Sequence, residues 1–530
     1  MIPELKPEAT PEVTPEPPQE VVPAVPLVAV LKNHWQRLLH WEFFGLAIIV
    51  LVTLIFHFVA IMRPPTIVWD EVWYVGDARS IISGTGELRP EHPPLAKLFI
   101  VAGEYVFNGF KAPTHDTGAK VVYKIGSSDA NDKVIVVTDA SLFAVGDTIR
   151  IGKEQMEVNS LDLINNELTV KRDAGGSGTL THNPNDSIYV FTDNAFGWRF
   201  FSIIFGTIGI IVFYFICRKL KLSWKTTMLA TFLFAFEDMT FIHSGLALLD
   251  VYMVTFMLAA VLAYLDEKYI WMGIFIALSA NCKLAGVLIF IAIFIHWAVY
   301  RKDKWKSFSI SLVVAAISFV VFLVFFDFFI KGGLENPITR INGLFSGTAA
   351  NIFTPNASNP APRLSISSRP WTWIYPQFVD LKNSAPFIVY SYDPQYISFI
   401  SSTIQILIIP TIGYMIYKAF KKNQTAAFIL LWFLATYLIW IPLDIATNRV
   451  TFVFYFLSVT PAICIGIAMA ISDWLDQLKN RRLTLNRTTP LQRTGYIVIA
   501  VWLLLHLAIF IVFNPAIPTI IKTWLPPFTT

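Results

Sequence analysis

The chain has 530 residues, 55% hydrophobic and 15% charged, where soluble proteins carry about 25% charged residues. Its mean hydropathy is +0.56 and its formal net charge is +4 at pH 7. That surplus, with no basic stripe interleaved with aromatics, excludes a nucleic-acid partner, and the composition excludes an ordinary soluble domain. The 16 Trp and 44 Phe suit lipid-facing surfaces and interfacial belts. Cys217, Cys282 and Cys464 lie in or beside apolar runs without C-x-x-C spacing, so neither a disulfide framework nor a thiolate metal site is read.

Residues 1–30, rich in Pro and Glu and without apolar periodicity, read as a disordered tail. Lys32 and Arg37 precede the first apolar run and place that tail in the cytoplasm. Residues 31–117 then hold the first membrane helix and an external loop. About 20 apolar residues cross a bilayer. Eleven candidate spans follow: 43–62, 198–217, 226–242, 246–265, 269–280, 284–300, 308–330, 397–417, 426–443, 450–472 and 495–514. Basic clusters at 218–225, 301–304, 418–422 and 479–482 fall in alternate loops, consistent with a cytoplasmic amino end. Residues 193–514 thus form a transmembrane core with a long external loop at 331–396. An odd number of spans leaves the tail 515–530 outside.

Within the first external segment the pattern changes. Over 118–192 period-2 alternation replaces long apolar runs, with short strands expected at 133–138, 148–151, 155–158, 167–171 and 187–191. Turn clusters such as Gly146-Asp147 and Gly175-Gly176-Ser177-Gly178 separate them. A small β-sandwich or barrel inserted in the loop is expected. Residues 95–110 before it read as an amphipathic helix on the membrane surface.

The stretch 64–103 carries the strongest motifs. Adjacent carboxylates, Asp70 and Glu71, stand between Trp69 and Trp73 just after the first span. His92-Pro93-Pro94-Leu95-Ala96-Lys97-Leu98 follows. An Asp-Glu pair alone is most often a helix cap in a solvated loop. The pair, the second segment and their spacing together resemble the protein O-mannosyltransferase family of GT-C glycosyltransferases.

The resemblance implies an α-helical polytopic membrane protein of GT-C type, with about 11 transmembrane helices and a small all-β domain in the first external loop. It implies transfer of mannose from a polyprenyl or dolichyl phosphate carrier to Ser or Thr hydroxyls of proteins, on the external face and with inversion. A prokaryotic host would place it in the cell membrane. Asp70 is then the general base, with Glu71 ordering the acceptor or the helix end. Arg199, Lys283 and Arg449, with Lys97 and His92, are expected around the lipid phosphate and donor. Asp250, matching a Leu-Leu-Asp element, and Trp371 and Trp373 are expected to line the acceptor or sugar channel. Singly, a cation at a span end is ordinarily a snorkelling anchor, and two nearby Trp satisfy an interfacial belt equally well. Asp327 reads as a helix–helix polar contact, and Glu237-Asp238 is undecided.

No cofactor is expected beyond the lipid-linked donor. No metal is expected either, since no second His stands at ligand spacing from His92. The partners implied are the donor, a protein acceptor and membrane lipids, with the oligomeric state open. Three departures from the family pattern stand out. Gly245 and Leu246 occupy the place of an Arg before Asp250, Asn281 replaces a small residue before Lys283, and the β insert lies in the first rather than a later external loop. The alternatives are a relative acting on lipid A, which prefers Lys-Pro-Pro-Leu over the His92 segment, a transporter, for which internal repeats are lacking, and an inactive partner that binds through the β insert.

Overall fold

The computed structural model describes residues 41–127, 133–349, 368–374, 390–393, 396–480 and 490–517. The expected tail 1–30, most of the segment 350–389 and residues 518–530 lie outside them. The chain divides into two compact units, Met1–Gly45 and Leu46–Thr530; of the first, only residues 41–45 at the start of a helix are described.

The described chain is mainly helical. The helix α1 (Trp41–Ala60) is followed by two short helices, α2 (Glu71–Ile82) and α3 (Leu95–Phe107). After the β module come α4 (Ala195–Lys219), α5 (Trp224–Ala235), α6 (Asp238–Gly245), α7 (Leu249–Leu265) and α8 (Tyr269–Cys282). A 3-10 turn, Leu284–Leu288, leads into α9 (Ile289–Tyr300), then α10 (Trp305–Lys331) and α11 (Pro337–Ala349). The rest comprises α12 (Ser402–Gln405), α13 (Ile408–Phe420), α14 (Gln424–Phe433), α15 (Trp440–Thr447), α16 (Thr460–Asn480) and α17 (Pro490–Phe513).

Among the described residues five helical stretches are long and apolar enough to cross a membrane, or six if the pair α6 and α7, bent by 112°, forms one broken span. The protein is an integral membrane protein of several spans. All eleven expected stretches contain helix, but breaks divide several of them, so the count of eleven is not settled. One break has a plain cause: Glu237 is the N-cap of α6 and accepts from the Thr240 backbone N–H at 2.7 Å, starting a new helix inside the run expected over 226–242.

The β module has six strands: β1 (Thr114–Lys120), β2 (Lys133–Val136), β3 (Thr148–Ile151), β4 (Glu154–Asp162), β5 (Glu167–Lys171) and β6 (Ser187–Phe191). They pair antiparallel in the order β1-β6-β3-β4-β5-β2. The outer strands also meet, through Val122 N–H to Val136 O at 2.9 Å and Thr138 N–H to Lys120 O at 3.0 Å. The sheet therefore closes into a small barrel around Ile135, Ile149, Met156, Leu168, Val170 and Ile188. Closure removes the exposed edges that invite strand pairing. β1, Thr-His-Asp-Thr-Gly-Ala-Lys, has no apolar alternation, and the sequence reading missed it.

Inside the barrel Glu154 is fully buried. It accepts from Arg172 Nε and Nη2 at 2.7 and 2.6 Å, from the Leu180 backbone N–H at 2.7 Å, and pairs with His182 Nε2 at 2.8 Å. The module is seated on α2 by backbone contact. A Cβ on Gly76 would stand 2.7 Å from the Gly175 Cα, and Gln155 Nε2 donates to the Gly76 carbonyl at 2.8 Å. Helix α3 meets α4 as closely, since a Cβ on Gly103 would stand 2.2 Å from the Gly197 carbonyl oxygen.

Removing one partner of a buried ion pair costs about 3–5 kcal/mol. Arg172→Leu is therefore expected to open the barrel to protease in the membrane-inserted protein while the helical core stays resistant. Limited proteolysis with mass spectrometry of the fragments checks this.

Candidate functional site

The site begins at the first turn of α2. Glu71 is completely buried and receives a two-pronged ion pair from Arg199 in α4, Nε to Oε1 at 2.8 Å and Nη2 to Oε2 at 2.7 Å. Its oxygens also accept from the backbone N–H groups of Val68 at 3.0 Å and Ala247 at 2.9 Å. Arg199 spends its remaining donors on the carbonyls of Ile61, Pro64 and Thr66, each at 2.9 Å. All five guanidinium N–H groups are thereby engaged with protein acceptors. This corrects the expected role: Arg199 has no donor left for a lipid phosphate. It fixes the loop 61–66, the start of α2 and the α6–α7 turn as one body. Of the two roles expected for Glu71, ordering the helix end is the one this geometry serves.

Asp70 is the N-cap residue of α2, half-buried and preceded by Trp69 at φ +53°. A bulky residue in that left-handed region costs about 1–3 kcal/mol and persists only where its surroundings hold it. One helical turn on, Tyr74 is buried beside Asp70. Burial first, then the charges of Asp70 and Asp250, push the Tyr74 phenol well above its ordinary value, so it stays protonated. Sequence reasoning missed Tyr74, although its i+4 spacing from Asp70 would have signalled it.

Opposite stands the second ion pair. Lys283, at the C-terminal end of α8, holds both oxygens of Asp250, in the first turn of α7, at 2.8 and 2.9 Å. Each group lies at the helix end whose dipole favours its charge. The Lys283 Nζ stands 4.7 Å from the Phe454 ring centre and 5.1 Å from that of Tyr455, contacts that attract a cation. Arg449 is half-buried, and its Nε has no acceptor among the described residues. His92 packs edge-on against Tyr74 at 5.7 Å between ring centres. Burial first, then the fields of Lys97, Lys283, Arg89 and Arg449, lower the His92 pKa well below the ordinary value, so the imidazole is neutral. Asp70, Tyr74, His92, Asp250, Lys283 and Arg449 are thus brought within electrostatic reach of one another.

Three other expected site residues are placed elsewhere. Lys97 is fully buried: its ammonium donates to Glu87 at 2.9 Å and to the Arg89 carbonyl, and it forms an ion pair with Asp77 at 2.8 Å. That corrects its expected place near the donor. Burial raises the Glu87 pKa, but Lys97 and Arg340 outweigh it and hold the carboxyl below the ordinary range. Arg340 in α11 also pairs with Asp327 at 2.9 Å and donates to the carbonyls of Pro90 and His92. The expected helix–helix contact of Asp327 is therefore an ion pair that props the His92-Pro93-Pro94 turn. Trp373 is fully buried, its N–H on Ser368 Oγ at 2.9 Å and its ring against Tyr437 and Tyr455. With neither face open it cannot stack on a sugar, which corrects that expectation. Trp371, 40% exposed, lies beside Arg369. The undecided pair also finds a place: Glu237 accepts from the Ser401 N–H at 3.0 Å and Asp238 from the Phe399 N–H at 3.2 Å, tying α6 to the segment after a short strand β7 (Tyr396–Ser398).

Residues 172–333 match the family model of dolichyl-phosphate-mannose-protein mannosyltransferase. The match takes in Arg199, Asp250 and Lys283. The Asp70-Glu71 pair and the His92 segment, which resemble the same family, lie outside it. No curated protein matches the chain. Among solved structures it is similar to the S. cerevisiae protein O-mannosyltransferase Pmt1-Pmt2 complex bound to the sugar donor, at 12% identity and TM-score 0.49, over 90% of each chain. It is also similar to the oligosaccharyltransferase AglB of Archaeoglobus fulgidus in complex with an inhibitory peptide and a dolichol-phosphate (12% identity, TM-score 0.48, 90% of this chain and 56% of that one). A third is ArnT of Cupriavidus metallidurans bound to undecaprenyl phosphate (12% identity, TM-score 0.47, 88% and 70%). The chain thus spans just over half the length of the archaeal enzyme. Among the described residues no group of three His, Cys, Asp or Glu is placed to hold a metal ion.

The two arginines make a test. Arg199→Met strands the Glu71 carboxylate in a buried site, at about 3–5 kcal/mol, and is expected to lower the unfolding temperature of the purified protein by several degrees. Arg449→Gln is expected to shift it far less, since the Nε it removes has no acceptor among the described residues to strand. Thermal unfolding in one detergent measures both.

Proposed function

We propose that the protein transfers mannose from a polyprenyl or dolichyl phosphate to Ser or Thr hydroxyls of proteins, on the external face of the membrane and with inversion at the anomeric carbon. The observation that carries this reading is the gathering of Asp70, next to the Glu71–Arg199 clamp, and of the Lys283–Asp250 pair and Arg449 around the packed Tyr74 and His92 rings. The family match over 172–333 supports the reaction class.

Asp70 takes the proton of the acceptor hydroxyl as its oxygen bonds to the anomeric carbon. The bond from that carbon to the phosphate oxygen breaks, and its electron pair stays on the phosphate. A positioned base contributes about 10²–10⁴ in rate. The growing phosphate charge meets Lys283, whose ammonium keeps a third N–H beyond its two bonds to Asp250, and Arg449 with its unmatched Nε. Fixed cations aimed at developing charge need no rearrangement during the reaction. The neutral His92 and protonated Tyr74 add donors without net charge. These cations do the work a metal would do, so the reaction is proposed to need none.

Asp70→Asn is expected to reduce kcat at least ~10³-fold without shifting the unfolding temperature, measured with radiolabelled lipid-linked mannose and a Ser/Thr peptide. Full turnover by that variant overturns the assignment of the base. Transfer is also expected to persist in EDTA; loss restored by Mg²⁺ or Mn²⁺ overturns the metal-free reading.

A further inference from the structure

Between the barrel and the start of α2 lies a cleft of about 590 Å³, within the ~300–1,000 Å³ range of ligand clefts. The chemistry proposed above does not use it. Its buried side holds unused donors. Trp198, 3% exposed, lines it, and its indole N–H has no acceptor among the described residues. Arg79 lines it too; three of its five N–H groups are engaged, by Asp193 at 2.7 and 2.9 Å and Thr148 at 3.2 Å. Such groups are costly to leave without acceptors.

The outer side is acidic. Asp193 is matched by Arg79, which leaves Asp147, Glu157 and Asp173 against the one ammonium of Lys171. Asp147 and Asp173 each spend an oxygen on a backbone N–H, of Ala144 and Gly178, and Glu157 faces Lys171 across the β4–β5 pair. The inner end is bounded by Trp69 and Trp73, the residues that flank Asp70. The Trp69 ring also lies 6.0 Å from His243, whose field partners are Asp250 and Lys283. One side chain therefore lines the cleft and packs beside His243, which shares a small cavity with Asp250. The closed barrel offers no strand edge, so strand addition is not how a chain is held here.

We propose that this cleft holds the acceptor polypeptide in extended form and favours acceptors with Lys or Arg near the modified hydroxyl. Carbonyls of the extended chain accept from Trp198 and Arg79, and its cations meet the acidic outer side. The β insert is then an acceptor-selecting wall built onto α2. This rests on the transferase reading above.

The test uses the full-length protein in lipid nanodiscs with the lipid-linked mannose donor. Two fluorescent peptides carry the same Ser/Thr run, one flanked by Lys and one by Glu. The wild type is expected to show a KM about tenfold lower for the Lys-flanked peptide, about 1.4 kcal/mol, with the preference fading as salt rises. Glu157→Lys, an exposed change, is expected to bring the two KM values within about twofold at unchanged kcat. Because Cys217, Cys282 and Cys464 are buried, a photo-crosslinker can be attached selectively at Glu157→Cys, where it should capture the peptide. At Leu163→Cys, on the exposed β4–β5 turn, it should not. Equal KM values in the wild type, a preference that survives Glu157→Lys, or equal capture at both cysteines overturns the proposal. Competition of the crosslink by a soluble oligosaccharide but not by peptide overturns the polypeptide assignment. If the wild type transfers no sugar to either peptide the transferase reading fails, and the crosslink still decides whether the cleft takes a polypeptide.

Discussion

The ion pair between Glu71 and Arg199 is the constraint on which the arrangement rests. Two charges fully removed from water are expensive, and the pair is tolerable only because every remaining hydrogen-bonding position is filled. Arg199 gathers three carbonyls from the loop after α1, and Glu71 gathers one backbone N–H from just before α2 and one from the α6–α7 turn. Removing any one strand of that weave strands a charge. Asp70, one residue before Glu71, inherits its position from the clamp, and the left-handed Trp69 before it shows that the backbone is held against its local preference.

A second, largely buried network repeats the device two turns further along α2. Asp77, Glu87 and Asp327 face Lys97, Arg340 and Lys331, linking α2, α3, α10 and α11 through the His92-Pro93-Pro94 turn. Between the two networks α2 has little freedom, and it carries Asp70 on one side and the barrel on the other, seated at Gly76. The helix that presents the proposed base is thus also the floor of the β module. That sharing gives the insert a physical reason to sit between α3 and α4.

Much of this was legible in the sequence. Apolar run lengths located the helical stretches, because hydrocarbon thickness sets them, and alternation located five of the six strands. The carboxylate pair and the His92 segment pointed to the site because their spacing is specific. The sequence did not separate the cations proposed to bind the donor from those that hold the protein. Arg199 looks the same in sequence as Lys283 and Arg449, each a cation near a span end, and Lys97 in its loop helix looks no different from a ligand-facing lysine. Only the set of acceptors around each cation divides them, and that depends on how the chain folds. Trp373 was misjudged for the same reason, since burial by Tyr437 and Tyr455 is a tertiary fact.

The central claim is that Asp70 faces a phosphate-binding pair, Lys283 and Arg449, while Arg199 is spent on holding the loop. A cryo-electron microscopy structure of the protein with bound polyprenyl phosphate tests it most directly. The account predicts phosphate density against the Lys283 ammonium and the Arg449 guanidinium, on the same chamber as the Asp70 carboxylate, with the Glu71–Arg199 pair unbroken. Phosphate density on Arg199 with that pair opened, or on the far side of α2 from Asp70, would contradict it.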